Sequence, residues 1–265
     1  MMANGELLTP VELDFLWESA NAGELPYPLR LRSHGATMDE RGALRTQTLQ
    51  SLNQRRLADE RGRPEPHIED YFGVLARPDL SLDCVQLNNP NTEPLLAVAS
   101  VLGGQGLLTV QDPRGFHFHP IAPDGLASAI VSLLPPGTRG TEKSITLPLD
   151  GLVGASGADF LQRRQPQIDG TATSDEDRKA LSRLQAQPRL RGGQFGANAR
   201  SKHGTRSRSS VLSWFDTQSG RYFTQATRGA DGRDWITIAP ADPATLRHRL
   251  TEMLGKIASE ASLAR

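Results

Sequence analysis

The length, composition and charge of the chain predict a folded protein without a strongly charged partner. It has 265 residues, of which 37% are hydrophobic, and its 30 Lys and Arg residues balance its 30 Asp and Glu residues. This composition excludes a largely disordered chain and gives no sign of a polyanion partner.

Cysteine usage and the first residues predict a cytosolic protein. The single cysteine, Cys84, excludes an intramolecular disulfide and is typical of a reducing compartment. The first twenty residues include Glu6, Glu12, Asp14 and Glu18, which is not typical of a signal peptide. No apolar run in the sequence is long enough to span a membrane, so we expect no membrane partner.

Three helices are predicted in the first eighty residues. Residues 9–12 (TPVE) and 37–40 (TMDE) both have the spacing of a capping box, in which Thr and Glu side chains satisfy backbone N–H groups at a helix start. We expect the first helix to end at Gly23 and the second near Leu57. A third helix is predicted over residues 68–75, where apolar side chains recur at helical spacing.

Four strands and a helix are predicted next. The strands LSLDCVQL, PLLAVASV, GLLTVQ and FHFHPI are apolar runs bounded by turn residues. We expect Asp124 to cap the helix that follows them. Residues 135–144 begin with Pro-Pro-Gly and are predicted to form a loop or hinge between two halves.

The second half is predicted to repeat this plan. It contains an extended run at 144–149, helices capped by Ser156 and Ser174, and a long ribbon that turns near His203. Residues 211–240 are predicted to form a three-stranded antiparallel meander, because turn residues separate three runs of β-branched and aromatic side chains.

The closing helix has the clearest helical pattern in the chain. Asp242 is predicted to be its N-cap and Pro243 its first residue. Its apolar face is formed by Leu246, Leu250, Met253, Leu254 and Ile257.

The two halves share a repeat at an offset of 117 residues. The matching positions are Leu95 with Leu212, Gly103 with Gly220, Gly115 with Gly232, the tripeptides 121–123 with 238–240, and Leu133 with Leu250. We infer a duplicated unit and predict an α+β fold, in which a central antiparallel sheet is flanked by helical bundles and divided into two pseudo-symmetric halves. The halves, residues 1–137 and 138–265, are expected to pack as one compact unit.

The sequence offers no converging set of catalytic groups, so we expect neither an enzyme nor a cofactor or metal site. Cys84 lies in an apolar strand, which is typical of a buried cysteine. His117 and His119 share a strand face, but no third metal ligand is evident nearby. The glycine-rich residues 151–157 lack the Gly-Lys-Ser/Thr ending of a phosphate-binding loop and do not fit Gly-x-Ser-x-Gly.

A local excess of positive charge lies in the basic segment, residues 189–233. It has nine Lys or Arg residues against Asp216 and Asp231, with aromatic residues interleaved. Three interpretations are open: a solvated sheet edge, a contact with an acidic protein surface, and nucleic-acid binding by phosphate contact and base stacking. The third is the least favoured.

Four cations of the basic segment lie beside the predicted ribbon turn. We therefore expect them to be exposed and to contribute little to stability. They are Arg200, Lys202, Arg206 and Arg208.

Several longer strings resemble the EspG family of actinobacteria, the secretion-associated chaperones of ESX (type VII) systems. The strings are LTPVELDFLWESANAGELPYPLRLRSHGATMDERGAL, RGGQFG, VLSWFDTQSGRYF and GADGRDWITIAPAD. The resemblance extends over about residues 7–257 and is weakest over 138–190. It implies a central antiparallel sheet with helical bundles, a quasi-twofold relation between halves, and a cytosolic protein that is not an enzyme.

The resemblance also implies a protein client. Mycobacterial members bind the tip of the PPE protein in a PE–PPE heterodimer, through the central sheet and the C-terminal helical bundle, and keep the pair soluble for secretion. We expect this chain to bind a PE–PPE-like heterodimer or another ESX substrate. The alternative is a regulatory or scaffold module without chaperone action.

From the segments that match the family, we predict a set of client-binding residues. They are Trp214, Phe215, Tyr222, Phe223, Trp235, Arg200, Lys202, Arg206, Arg208, Leu250 and Leu254. Aromatic side chains with polar tips are typical interface anchors. The same aromatics also fit a core position beneath the helices, and both interpretations are open.

Overall fold

The computed structural model describes residues 5–89, 92–149, 152–153, 167–168 and 175–263. The helices are α1 (Pro10–Ser19), α2 (Met38–Gln54), α3 (Pro66–Ala76), α4 (Leu126–Ser132), α5 (Asp175–Gln185) and α6 (Pro243–Leu263). The strands are β1 (Glu6–Leu8), β2 (Leu80–Leu87), β3 (Leu95–Leu102), β4 (Gln105–Asp112), β5 (Gly115–Ile121), β6 (Ile145–Pro148), β7 (Leu152–Val153), β8 (Gln167–Ile168), β9 (Arg191–Arg200), β10 (Arg206–Arg208), β11 (Leu212–Thr217), β12 (Gly220–Arg228) and β13 (Asp234–Pro240). The helix predicted at Ser156 and the predicted cap Ser174 lie outside the described residues.

One large antiparallel sheet organises the protein. Its 11 strands have the order β1-β5-β4-β3-β2-β9-β11-β12-β13-β6, and β10 pairs with β9 beside this path. The strands β7 and β8 pair separately. This arrangement confirms the predicted α+β fold with a central antiparallel sheet.

The strand order is the same on both sides of the β2–β9 pair. Moving outwards, β3, β4 and β5 lie on one side and β11, β12 and β13 on the other, and each meander is followed by a helix, α4 or α6. The pairing register does not follow the offset of 117 residue by residue. Leu102 pairs with Gln105 across the β3–β4 turn, whereas Thr217 pairs with Gly220 across the β11–β12 turn. The β11–β12 turn therefore lies two residues earlier than an offset of 117 from the β3–β4 turn requires. Duplication as the origin of the two halves stays a prediction.

The front face of the sheet packs against α4 and α6. Phe195, Trp214 and Phe223 of the sheet join Leu246 and Leu250 of α6 in one buried cluster. Because side chains alternate between the two faces of a strand, the neighbours of these residues point to the back face.

The back face has two separate helical covers. Helices α1, α2 and α3 pack on sheet residues that include Val98, Leu107 and Phe118, and α5 packs on residues that include Phe215 and Tyr222. Neither cluster includes a residue of β9 within the described ranges. The centre of the back face, over β2 and β9, therefore lies between the two covers.

Most of the predicted helix starts are confirmed. At α1 the Thr9 N–H donates to Glu12 Oε2 at 2.8 Å, and the Glu12 N–H donates to Thr9 Oγ1 at 3.4 Å, which completes a capping box. At α6 the Thr245 N–H donates to Asp242 Oδ1 at 2.7 Å. The prediction for Asp124 is wrong, because α4 begins two residues later and has no side-chain cap.

The first two helices end earlier than predicted. Helix α1 ends at Ser19, before Gly23, because Asn21 takes a φ of 48°. Helix α2 ends at Gln54, because Arg56 takes a φ of 57°. A residue with positive φ cannot continue a right-handed helix. Asparagine adopts this conformation more readily than most residues do, whereas nothing in an arginine side chain indicates it.

Candidate functional site

The sheet aromatics nominated as client contacts lie in the core. Trp214 and Phe223 are buried on the front face in the cluster that includes α6, together with Leu250. Phe215 and Tyr222 are buried on the back face beneath α5, with ring centroids 5.6 Å apart. Their burial fits the core interpretation, and contact between these side chains and a client stays a prediction.

Two other nominated residues are partly exposed. The Trp235 indole Nε1 donates to Asp231 Oδ1 at 3.3 Å, next to the turn between β12 and β13. Leu254 packs against the front-face cluster from the outer part of α6.

Part of the positive charge of the basic segment is neutralised inside the protein. Asp216 pairs across the sheet with Arg191 on β9 and Arg221 on β12. Arg191 Nε donates to Asp216 Oδ2 at 2.6 Å, and Arg221 Nε donates to Asp216 Oδ1 at 2.7 Å. The Arg221 guanidinium also lies 4.7 Å from the ring centroid of Trp214. Asp216 and Arg221 are paired because they are equally distant from the observed two-residue turn of Gln218 and Ser219.

Arg208 on β10 is tied to a buried carboxylate of β2. Its Nη2 donates to Asp83 Oδ1 at 2.9 Å and its Nη1 to Asp83 Oδ2, while Asn198 Nδ2 donates to the same Oδ2 at 2.8 Å. The hydrogen bond with Asp83 raises the pKa of the Arg208 guanidinium. Gly196 lies between the partners, where a Cβ would collide with the guanidinium. The absence of a side chain at Gly196 leaves room for the guanidinium to cross β9 in this position.

This pairing argues against the expectation that Arg208 contributes little to stability, and that expectation stays a prediction. Asp83 is buried, and removing its cation would leave a charged group in the sheet with only the Asn198 amide as a partner. Lys202, Arg206 and Arg208 are exposed, as predicted, and Arg200 is half-buried.

A groove of about 490 Å³ opens beside β10 on the back face. We call it the ribbon groove. Its lining includes Pro26 and Tyr27 of the α1–α2 linker, Pro78 after α3, and the ribbon residues Arg200, Arg206 and Arg208. Tyr27 is 60% exposed, and the Arg208 guanidinium lies 5.2 Å from its ring centroid. The groove thus combines apolar walls with guanidinium groups.

Three exposed apolar side chains belong to β2 or to the residues that directly precede β9 and β11. They are Leu87, Leu190 and Val211, which are 36%, 48% and 37% exposed. Strand alternation places Leu87 on the back face, and its partner Gly192 on β9 lies two residues after Leu190. We call these residues the central strip. The sequence did not reveal this grouping, because Leu87 lies in a different half of the chain from Leu190 and Val211.

The residues weighed for catalysis or metal binding do not converge. Cys84 is buried, and burial raises the pKa of its thiol. His117 Nε2 lies 3.1 Å from Asp112 Oδ1, and its ring lies 6.2 Å from that of His119. Within the described ranges no group of three or more His, Cys, Asp or Glu side chains could hold a metal ion. The glycine-rich residues 151–157 fall outside those ranges, apart from the two residues of β7.

Comparison with known proteins places the chain in a family. The model of the EspG family matches residues 9–252. This chain belongs to the EspG family. No curated protein matches it.

A solved EspG structure shares the fold. It is the Mycobacterium tuberculosis type VII secretion system chaperone EspG5, determined in complex with a PE25–PPE41 dimer. The two structures match with a TM-score of 0.70 over 96% of each chain, at 12% sequence identity. In the described part of this EspG chain, no helix is long and apolar enough to cross a membrane.

Proposed function

We propose that this chain is an EspG chaperone or adaptor of a type VII secretion system, which binds a secreted client in the cytosol and keeps it soluble until secretion. The client is a PE–PPE-like heterodimer or another ESX substrate. The observation that carries the proposal is the fold likeness over 96% of both chains to EspG5, a chaperone solved with a PE–PPE dimer. Binding, rather than catalysis, is the activity that this role requires.

The central strip is the best-supported first contact for such a client. Its three apolar side chains are accessible in the free protein, whereas the aromatics Trp214 and Tyr222 are covered by α6 and α5. Burial of apolar surface contributes about 25 cal/mol per Å² before the cost of ordering both partners is subtracted. A client with an apolar tip would therefore gain most of its binding free energy over β2 and β9.

Exposed polar groups surround this contact. Arg206 and Lys202 lie at the ribbon end, where they can attract an acidic surface and speed association. Three cations of the basic segment, namely Arg191, Arg208 and Arg221, already pair with Asp83 or Asp216. This internal pairing weakens the case for nucleic-acid binding, because phosphate contacts need free cations.

Co-expression tests the proposed function. A PE–PPE pair encoded beside this chain is produced in three ways: with the chain, without it, and with the Met38→Ser variant of the chain. Met38→Ser is the matched control, because Met38 is exposed and lies outside the central strip. We expect the pair to be soluble and to co-elute with the chain in the first and third cases only. A pair that is equally soluble without the chain, and elutes apart from it, would count against a chaperone role.

A further inference from the structure

The ribbon groove is a second built surface, distinct from the central strip. It is walled by Pro26 and Tyr27 on one side and by the ribbon on the other, with Pro78 nearby. A volume of about 490 Å³ falls in the range of sites that hold small ligands or single peptide side chains. Rigid proline walls need little further ordering when an occupant binds.

Two guanidinium groups of this groove have no carboxylate partner among the residues that the structure describes. Arg200 and Arg206 are cross-strand partners on β9 and β10, so their side chains lie side by side. In the described part of the chain neither forms an ion pair, and the buried Arg200 Nε has no hydrogen-bond partner. Arg208 differs, because Asp83 already balances its charge. Adjacent like charges on neighbouring strands repel each other, so an anion placed between Arg200 and Arg206 would relieve an existing cost.

We propose that the ribbon groove binds a client segment in which an apolar side chain stands next to a carboxylate. The apolar side chain fills the space between Tyr27 and the prolines, and the carboxylate pairs with Arg200 and Arg206. This assignment rests on the proposed function and names the partner chemistry of one of its surfaces.

An acidic peptide fits this groove better than a nucleic acid does. The groove offers two free cations and one exposed aromatic ring, Tyr27. Nucleic-acid surfaces need a longer row of cations that follows the phosphates, with several stacking rings. The formal net charge of the whole chain is +0, which also gives no long-range attraction for a polyanion.

A peptide titration followed by NMR tests the assignment directly. The probe is the peptide GSELEGS, and its controls are GSQLQGS, without charge, and GSEGEGS, without the apolar side chain. We expect GSELEGS to shift the amide signals of Arg206 and Ser207 and to bind at least about fivefold more tightly than either control. Equal binding of GSQLQGS, or shifts confined to residues outside the groove, would overturn the proposal.

Matched variants distinguish peptide binding in the groove from a general effect of positive charge. The double variant Arg200→Gln with Arg206→Gln should weaken GSELEGS binding by about tenfold. The control is Arg228→Gln with Arg233→Gln, which removes the same charge at exposed sites outside the groove. This control should bind GSELEGS as tightly as the wild type does. If the first variant does not fold, Arg206→Gln alone should still weaken binding. Equal effects of the two double variants would overturn the proposal, as would stronger binding of a ten-nucleotide poly-dT that displaces the peptide.

Binding at the ribbon groove and binding of a PE–PPE pair can be tested separately. A wild-type chain that forms its complex with a PE–PPE pair but does not bind GSELEGS would overturn the groove alone. A chain that binds the peptide but forms no complex with the pair would overturn the client, and with it the assignment of the groove to that client.

Discussion

Arg208 shows how one exposed position can have a structural role. It lies on a three-residue strand near a turn, yet its guanidinium reaches across β9 to Asp83, 125 residues away in the sequence. Its path is open because Gly196 has no side chain. A count of charges near a turn could not separate Arg208 from Lys202, because only the pairing of β2 with β9 places Asp83 within its reach.

Removal of the Arg208 charge should therefore destabilise the protein. We expect Arg208→Gln to lower the free energy of unfolding by about 1–3 kcal/mol, because the carboxylate of Asp83 stays buried without its cation. The control Lys202→Gln, at an exposed position of the same turn, should be close to neutral. Urea unfolding of both variants and of the double variant Arg208→Gln with Asp83→Asn measures this. Equal stability of the two single variants would show that the ion pair contributes nothing.

At the scale of elements, the strands were more predictable than the helix ends. Strands β11 and β12 form a hairpin within the predicted meander, since turn residues between alternating runs define a hairpin locally. The ends of α1 and α2 depend instead on the positive φ of Asn21 and Arg56. Asparagine tolerates this conformation by its own chemistry, whereas at Arg56 it is favoured by the surroundings. The central strip and the ribbon groove were unpredictable for a related reason, because both require strands from different halves to be neighbours.

Helices α1 and α2 are held together by a network around Asp14. Asp14 Oδ2 accepts from the His34 N–H at 2.7 Å and from Arg41 Nη1 at 2.9 Å. Burial alone would raise the pKa of Asp14, but the hydrogen bonds from Arg41 and His34 outweigh it, and the pKa lies below its usual value of 3.8. A carboxylate with a lowered pKa in the folded state stabilises the protein above its unfolded pKa, and this contribution is lost as the pH falls through the folded value.

The replacement Asp14→Asn should therefore have a pH-dependent effect. We expect it to lower the free energy of unfolding by about 1–3 kcal/mol at pH 7, and by progressively less as the pH falls below the usual carboxyl pKa of 3.8. Asp124→Asn is the control, because Asp124 is exposed and caps no helix. Urea unfolding across this pH range measures both. A loss at pH 7 that stays constant into acid would show that the Asp14 charge is not the cause.

At the scale of the whole molecule, the two faces of the sheet differ in how they are covered by helices. Its front face is closed by α4 and α6 around a continuous core, and its back face carries two separate helical covers. Leu87 of the central strip lies on β2, one of the two strands at the centre of the symmetric strand order.

Changes to the central strip should weaken client binding without unfolding the chain. Full burial of a leucine contributes about 1.5–3 kcal/mol, and these side chains are already partly covered, so Leu87→Ser with Leu190→Ser should weaken binding by about tenfold or more. The control pair is Met38→Ser with Leu263→Ser, which are 83% and 80% exposed and lie outside the strip. Calorimetric titration of the client pair into each variant measures the affinities. Similar affinities for both double variants would place the contact elsewhere.

The central claim is that this chain forms a defined complex with a secreted PE–PPE-like pair. The mass of the complex, measured by light scattering during size-exclusion chromatography of the purified components, tests it most directly. We expect one peak whose mass equals the 28.8 kDa chain plus one copy of the pair. With the double variant Leu87→Ser and Leu190→Ser at dilute concentration, we expect the chain and the pair to elute as separate peaks. Separate peaks for the wild-type chain and its folded neighbouring pair, at concentrations where chaperone complexes persist, would contradict it.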